Sequence, residues 1–480
     1  MVGKRFWGLT VYCLGILSGG GAIAASNPSA PSQSSLHPCW ADAASIAIDQ
    51  IQINPSCRWQ TLDGVGANSF AYPFGNDIGY QWDQVKFVYD QLDLHYIRLV
   101  SWFGFWESEN DNADARTLNW DGFDRPPGTV GRYEVPYAQW LHSRGMEVEL
   151  GVWNVADWLA SGNPRQIAPS LYPELGETIA SYLLNLQYQG VAQTVVEVQN
   201  EPDIMAGIRY ANPEALRDAA LAVLDQLDHY GLNQILLHGP NLSRPEGTPE
   251  WAEVWFANPR LRDRTIALSY HTWWSEDRAA YEAIRSVAER YGKPVWATEL
   301  GLCALNDPAI CGTHAPLRTD TWETAFDYAQ SFYRAIDWSH ASRVYLWTVL
   351  GHDGVVGPEG QRYPTFYVAK HFADYIPPAS IYIQSLSHQS DLQTLAFALP
   401  NKNYSLIVIN SGQAGHLLHL VNEQVNGQQT NWAITQAVTS SQDNYEQRTT
   451  VIQEGEQWRI TFPPRSVTSL SLTIAESSSN

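Results

Sequence analysis

Past its N-terminal stretch the chain has no run of ~20 consecutive apolar residues, so no later segment is long enough to cross a bilayer as a helix. Cysteine is scarce, 5 in 480 residues. No C-x-x-C pair occurs and no histidine cluster stands near the cysteines, which argues against a zinc site, and no metal is expected. Positive charge is also short: 29 Lys and Arg against 50 Asp and Glu give a net charge of −21. Nucleic acid and anionic membranes repel such a surface, so neither is expected as a partner.

The N-terminal stretch itself reads as an export signal. Lys4 and Arg5 precede the short apolar run Phe6–Leu17, and Ala22-Ile23-Ala24-Ala25 offers small residues for cleavage. Residues 1–25 are expected to be removed and 26–45, rich in Ser, Pro and Ala at the start, to form a flexible mature N-terminus. The mature protein is then secreted or periplasmic. Cys13 leaves with the signal. The remaining Cys39, Cys57, Cys303 and Cys311 are an even set in an exported chain, which points to disulfides. Three pairings are possible; Cys39–Cys57 and Cys303–Cys311 are expected because each closes a short loop.

Hydrophobic residues make up 44% of the chain and aromatics 12%, the composition of a packed globular protein. The length calls for one large domain and a smaller one. Twenty Trp and 24 Tyr favour a carbohydrate partner only mildly, since aromatic faces stack on sugar rings but also fill cores.

Apolar runs alternate with amphipathic stretches. Strands are expected at Gln60–Ala67, Tyr96–Val100, Glu147–Trp153, Thr194–Asn200, Gln234–His238, Ile266–His271, Pro294–Glu299 and Arg343–Thr348. Helical patterns lie between them, at Trp82–Leu92, Tyr133–Arg144, Pro173–Gln189, Pro213–Tyr230, Glu250–Phe256, Asp277–Tyr291 and Thr321–His340. Pro173 and Pro213 suit a first helical turn, and Gly145, Gly190, Gly231 and Gly292 suit left-handed caps. The repeated helix–Gly–strand order predicts β/α units closing as a (β/α)8 TIM barrel over 59–372. After Phe372, short alternating runs predict an antiparallel β-sandwich over 373–480. The run Ile46–Ile53, in the segment 46–58, should join that sandwich from the other side of the barrel.

Two of the expected barrel strands end on glutamate. Thr194-Val195-Val196-Glu197-Val198 runs into Gln199-Asn200-Glu201-Pro202, and Pro294-Val295-Trp296-Ala297-Thr298 runs into Glu299-Leu300-Gly301. Asn-Glu-Pro alone is a weak motif. Paired with Thr-Glu-x-Gly three β/α units later, it places two carboxylates on the catalytic face of one barrel. Glycoside chemistry needs two carboxylates held across a bond by rigid elements.

These features resemble a clan A glycoside hydrolase, most closely glycoside hydrolase family 30. Trp59-Gln60-Thr61-Leu62-Asp63-Gly64-Val65-Gly66 is similar to that family's opening segment. Ile97-Arg98-Leu99, Trp153 with Trp158, the stretch Pro364-Thr365-Phe366-Tyr367 to Tyr375-Ile376-Pro377-Pro378, and Pro463-Pro464-Arg465-Ser466-Val467-Thr468-Ser469-Leu470 also match it. Gln199 stands where the family commonly has Trp, His271-Thr272-Trp273 replaces His-x-Tyr, and Gly64 to Ala71 lacks an expected acid. The sugar specificity therefore stays open.

The resemblance implies a retaining β-glycosidase that needs no cofactor and acts on a β-linked oligosaccharide, polysaccharide or glycoside. Glu299 would be the nucleophile and Glu201 the general acid/base. Arg98 would hold Glu299 ionised, Asn200 would bind the sugar 2-hydroxyl, and His271 would orient the nucleophile or be a core histidine. Trp347 would floor the sugar subsite, with Trp153 and Trp273 as further platforms or as core. A carbohydrate-binding protein on a hydrolase scaffold and a transglycosylase are the alternatives. The acidic stretch Glu109–Asp114 is read as a solvated loop, because no EF-hand spacing follows. His352-Asp353-Gly354 reads as a turn, and Asn241-Leu242-Ser243 and Asn403-Tyr404-Ser405 are glycosylation sequons of the kind that arise by chance. The oligomeric state is not legible.

Overall fold

The computed structural model describes Cys39 and residues 47–70, 82–125, 128–191, 193–204, 207–301, 320–351, 354–357, 359–422, 432–448, 452–454 and 457–474. The proposed signal, Cys303, Cys311, His352 and Asp353 lie outside them.

The first strand, β1 (Gln50–Leu62), belongs to the C-terminal sheet. The chain then enters the barrel through β2 (Gly64–Phe70), β3 (Tyr96–Trp102) and β4 (Glu147–Asn154). A small hairpin, β5 (Ala160–Ser161) and β6 (Gln166–Ile167), follows. The barrel continues with β7 (Val195–Glu197), β8 (Leu236–Leu242), β9 (Thr265–His271), β10 (Val295–Leu300) and β11 (Ala341–Leu346). Strands β2–β4 and β7–β11 close into an eight-stranded parallel barrel.

Every expected barrel strand is present, with one change at its first edge. Gln60–Leu62 ends β1 and pairs with the C-terminal sheet, whereas the barrel strand starts at Gly64 opposite Arg343. Asp63-Gly64 turns the chain from one sheet to the other. Gly64 does so at φ +119°, a backbone conformation that side chains disfavour. The expected helices form at Trp82–Gln91, Val135–Ser143, Tyr172–Tyr188, Pro213–His229, Thr248–Ala257, Arg278–Tyr291 and Trp322–Tyr333. Gly145, Gly190, Gly231 and Gly292 all have positive φ.

The barrel interior is partly polar. Near the N-terminal ends of the strands, Arg343 lies between the rings of Tyr96 and Trp296, 3.6 and 4.0 Å from their centroids. It binds the buried Glu149, with Glu147 at 3.1 Å. At this end of a barrel such a cluster serves stability.

The C-terminal region adds β12 (Ser380–Ser387), β13 (Leu392–Ala398), β14 (Tyr404–Asn410), β15 (His416–Asn422), β16 (Trp432–Thr439), β17 (Glu446–Arg448), β18 (Ile452–Glu454), β19 (Gln457–Phe462) and β20 (Ser466–Ile474). With β1 these make one ten-stranded sheet in the order β17-β16-β20-β14-β13-β12-β1-β15-β19-β18. The expectation of a purely antiparallel sandwich is modified in one respect. β1 enters between β12 and β15, antiparallel to the first and parallel to the second. The sheet curls so that Trp432 of β16 and Trp458 of β19, near opposite ends of the strand order, bring their rings within 5.3 Å.

Alternation along β14 shows how the two parts share a core. Leu406 and Val408 point into the curled sheet, while Ile407 and Ile409 join the core of the barrel. The helix Pro364–Tyr375 seals the junction. Its buried His371 bonds to Ser469 Oγ at 2.7 Å and Thr439 Oγ1 at 2.8 Å, and Phe372 stacks on Phe332 at 3.9 Å.

Candidate active site

The strands run parallel, so the chemistry carried by their C-terminal ends converges on one face. β7 is short. After it, Asn200 is anchored by its backbone N–H on the Val152 carbonyl at 2.8 Å, and Glu201 turns into the left-handed region at φ +46°. For a side chain other than Gly or Asn that conformation is uncommon, and such outliers cluster at functional sites. Glu299 stands near the end of β10, where a following glycine is needed. A Cβ on Gly301 would lie 2.5 Å from the Trp273 ring. The Glu-x-Gly pattern thus makes room for a neighbour of Glu299.

Arg98 of β3 lies beneath both glutamates and is fully buried. It donates to Glu299 Oε1 at 2.7 Å, Glu197 Oε2 at 2.7 Å, Asn68 Oδ1 at 2.6 Å and Asn200 Oδ1 at 2.6 Å. A guanidinium can serve four partners because its donors form a rigid fork. His271, ending β9, joins the pair from another side. Its Nδ1 is 3.0 Å from Glu201 Oε1 and 3.1 Å from Glu299 Oε2. An oxygen of each glutamate and the ring nitrogen lie within 4.8 Å of one another. The fixed charge of Arg98 beside Glu299 disfavours a metal ion in this place.

These contacts divide the two carboxylates. Burial raises both. For Glu299 the opposing pull of the His271 charge and hydrogen bond, the Arg98 charge and the Trp273 hydrogen bond wins, and its carboxyl is held below the ordinary range. For Glu201 burial wins, helped by the Glu299 charge and only partly offset by His271, and its carboxyl is pushed up. Burial disfavours the charged His271 ring, but the two carboxylates raise it to about 9.

Tryptophan contacts complete the site. Trp273 donates its Nε1–H to Glu299 Oε2 at 3.0 Å and is only 7% exposed. Trp347, 8% exposed, stacks on Trp153 at 5.4 Å and 21° and meets the edges of Phe70 and Trp273 at 5.9 and 5.8 Å. The structure therefore brings together all eight residues singled out as catalytic or substrate-binding: Arg98, Trp153, Asn200, Glu201, His271, Trp273, Glu299 and Trp347.

Sequence reasoning missed Asn68, Glu197 and Asn241. Asn68 Nδ2 donates to the Thr298 and Leu346 carbonyls at 2.8 and 2.9 Å while its oxygen takes Arg98. Asn241 Nδ2 lies 3.0 Å from His271 Nε2. Asn241 is fully buried, so its sequon is inaccessible in the folded chain. Only a weak signal was available: Glu197 lies inside an expected buried strand and Asn68 directly after one, and buried polar groups need partners, while Asn241 lies three residues past the expected strand Gln234–His238. Away from the cleft, Cys39 and Cys57 form a disulfide with a Cα separation of 5.1 Å.

No family model matches the chain, and no curated protein matches it. Solved structures do match its fold. A family 30 endoxylanase from Clostridium papyrosolvens C71 superposes with a TM-score of 0.69 at 16% identity, over 88% of this chain and 100% of the other. An endo-β1,6-glucanase gives 0.61 at 15% identity, over 89% and 96%. A family 51 α-L-arabinofuranosidase from Bifidobacterium longum gives 0.59 at 13% identity, over 88% and 99%. The barrel with its attached sheet is thus the fold of these solved glycoside hydrolases, the fold that the sequence resemblance implied.

Proposed function

We propose that the protein is a retaining glycoside hydrolase acting on β-linked glycans or glycosides, exported by its N-terminal signal. The single observation that carries this reading is the pair Glu201–Glu299, joined through one nitrogen of His271 with oxygens inside 4.8 Å. Retaining enzymes keep their carboxyl groups ~5–5.5 Å apart, while inverting ones need ~6.5–9.5 Å to fit a water.

In this mechanism the Glu299 carboxylate attacks the anomeric carbon as Glu201 gives its proton to the leaving oxygen. The glycosyl–oxygen bond breaks and a glycosyl ester forms on Glu299. Glu201, now a carboxylate, takes a proton from water, whose oxygen displaces the ester and frees Glu299. Asn200, fixed by Arg98, presents its amide N–H to the sugar 2-hydroxyl. The fold neighbours named above act on xylan, β1,6-glucan and arabinofuranosides, so the fold supports glycosidase chemistry without selecting a sugar. The test is a panel of aryl glycosides and β-glycans assayed with wild type, Glu299→Ala and Glu201→Ala. Glu299→Ala should abolish turnover and regain it with azide, giving an inverted product. Glu201→Ala should lose least on good leaving groups. The opposite pattern would reverse the roles, and an inactive wild type across the panel would refute the reading.

A further inference from the structure

A second cluster of acids is buried away from the catalytic pair, beneath the loop that follows β3. Glu107 and Asp111 come from that loop, and Glu174 and Glu177 from the facing helix Tyr172–Tyr188. Their exposures are 1%, 9%, 9% and 0%. Some of their oxygens are satisfied. Glu107 accepts from the Asp111 backbone N–H at 3.4 Å and from Thr178 Oγ1; Asp111 Oδ2 accepts from the Asn119 N–H at 2.6 Å and Asn112 Nδ2 at 3.0 Å. The rest are not. Among the described residues, Asp111 Oδ1, Glu174 Oε2 and both oxygens of the fully buried Glu177 accept from no N–H or hydroxyl group; Glu174 and Glu177 bond only to each other, by sharing a proton between their carboxyls.

Glu107, Asp111 and Glu177 each bring an oxygen within 4.8 Å of the others. Among the described residues, no Lys, Arg or His forms an ion pair with any of the four acids. Buried carboxylates without a countercharge are costly, and they resolve that cost by holding a proton or by holding a cation. Burial first, and the neighbouring carboxylates next, push Glu107 up to about 8 and Glu177 to about 10.

We propose that Glu107, Asp111 and Glu177, with Glu174 beside them, bind a calcium ion. The donors are all hard oxygens, with no nitrogen or sulfur to favour zinc. Calcium takes about 6–8 oxygen ligands in a flexible geometry and suits a set of protein carboxylates, whereas magnesium keeps several of its waters and usually takes only one or two carboxylates. The ion would tie the loop after the second barrel strand to the helix after the third. The chain just before that loop already leans on the same helix, Trp106 Nε1 donating to Ser181 Oγ at 2.9 Å, and other neighbours hold the loop itself: Trp158 Nε1 donates to the Glu107 carbonyl at 3.0 Å and Tyr230 to the Ala115 carbonyl at 3.1 Å.

The test uses the whole protein, stripped with EGTA and returned to calcium chloride alone. Equilibrium dialysis should find one calcium bound at this site. The melting temperature should rise by about 3 °C at a hundredfold excess over Kd, with a smaller rise in magnesium. Asp111→Asn and Glu177→Gln should each weaken calcium binding at least ~10-fold. Glu177→Gln should melt no lower than stripped wild type, because the amide replaces a buried carboxyl that already holds a proton when no cation is bound. Asp114→Asn, an exposed acid of the same loop, should bind calcium normally. No retained calcium with an unchanged melting temperature, binding that survives both substitutions, or a preference for magnesium would each overturn the proposal.

Discussion

Arg98 holds Glu299, Asn200, Glu197 and Asn68 at once, and it does so without reaching solvent. Arg98→Lys keeps the charge but cannot serve four partners from one ammonium. It should lower kcat/KM at least ~100-fold, and the acid limb of the pH profile should move up as Glu299 loses support. Trp273→Phe keeps the ring and removes the N–H to Glu299. A ~10-fold loss in kcat/KM with little change in melting temperature is expected, as for one hydrogen bond to a charged group. The wild-type profile has a definite sign. In the proposed mechanism Glu299 must be charged, and it is held below the ordinary carboxylate range, so activity should persist to lower pH than an ordinary carboxylate allows. Glu201 must be protonated and is raised, so the alkaline limb moves up. The two limbs belong to the pair, and Glu201→Gln should abolish the alkaline one on good leaving groups. The sequence reading gives Trp347 only the role of flooring the sugar subsite. Packed against Trp153, Phe70 and Trp273, it supports the site from within. Trp347→Ala should therefore cost about 3–5 kcal/mol of stability as well as turnover, measured by urea unfolding beside kinetics. Glu201 and Glu299 were legible because they end strands in motifs. Asn68, Glu197 and Asn241 were not, because a lone polar residue in an apolar run does not name its partner.

At the scale of elements, the β/α units were legible through their punctuation. Glycine caps and first-turn prolines marked the helix ends, and β-branched runs marked the strands between them. The C-terminal strands were legible as short, mostly apolar runs bounded by turn residues, as in Leu392–Ala398 and Tyr404–Asn410. The strand His416–Asn422 went unread: its two adjacent leucines break the alternation, and Leu417 is 52% exposed. Glu446–Arg448 and Ile452–Glu454 are three residues each, too short to show a period. The acid-rich loop Glu109–Asp114 was set aside for want of an EF-hand pattern. Its partners Glu174 and Glu177 lie on a helix far along the chain, where no local motif could announce them. The Cys39–Cys57 bridge, with a sequence separation of 18, fastens the chain before the barrel to buried β1. Its reduction should cost about 2–4 kcal/mol, read as a lower urea midpoint with an unchanged slope.

Over the described residues the core of the barrel runs on into the sheet, so the two are expected to unfold together. Ile407, Ile409 and Val467 belong to that shared core, and β1 reaches the sheet before the barrel begins. A chain ending after Tyr375 would expose this face and leave His371 without Ser469 and Thr439. The central claim, however, concerns the two glutamates, and stereochemistry tests it most directly. Proton NMR of the first product released from the most rapidly cleaved β-glycoside reports the configuration at the anomeric carbon before mutarotation. A β-configured product is predicted, because two displacements at one carbon restore the starting geometry. An α-configured first product would contradict the account, since it requires a single displacement by water and leaves Glu299 no role as nucleophile.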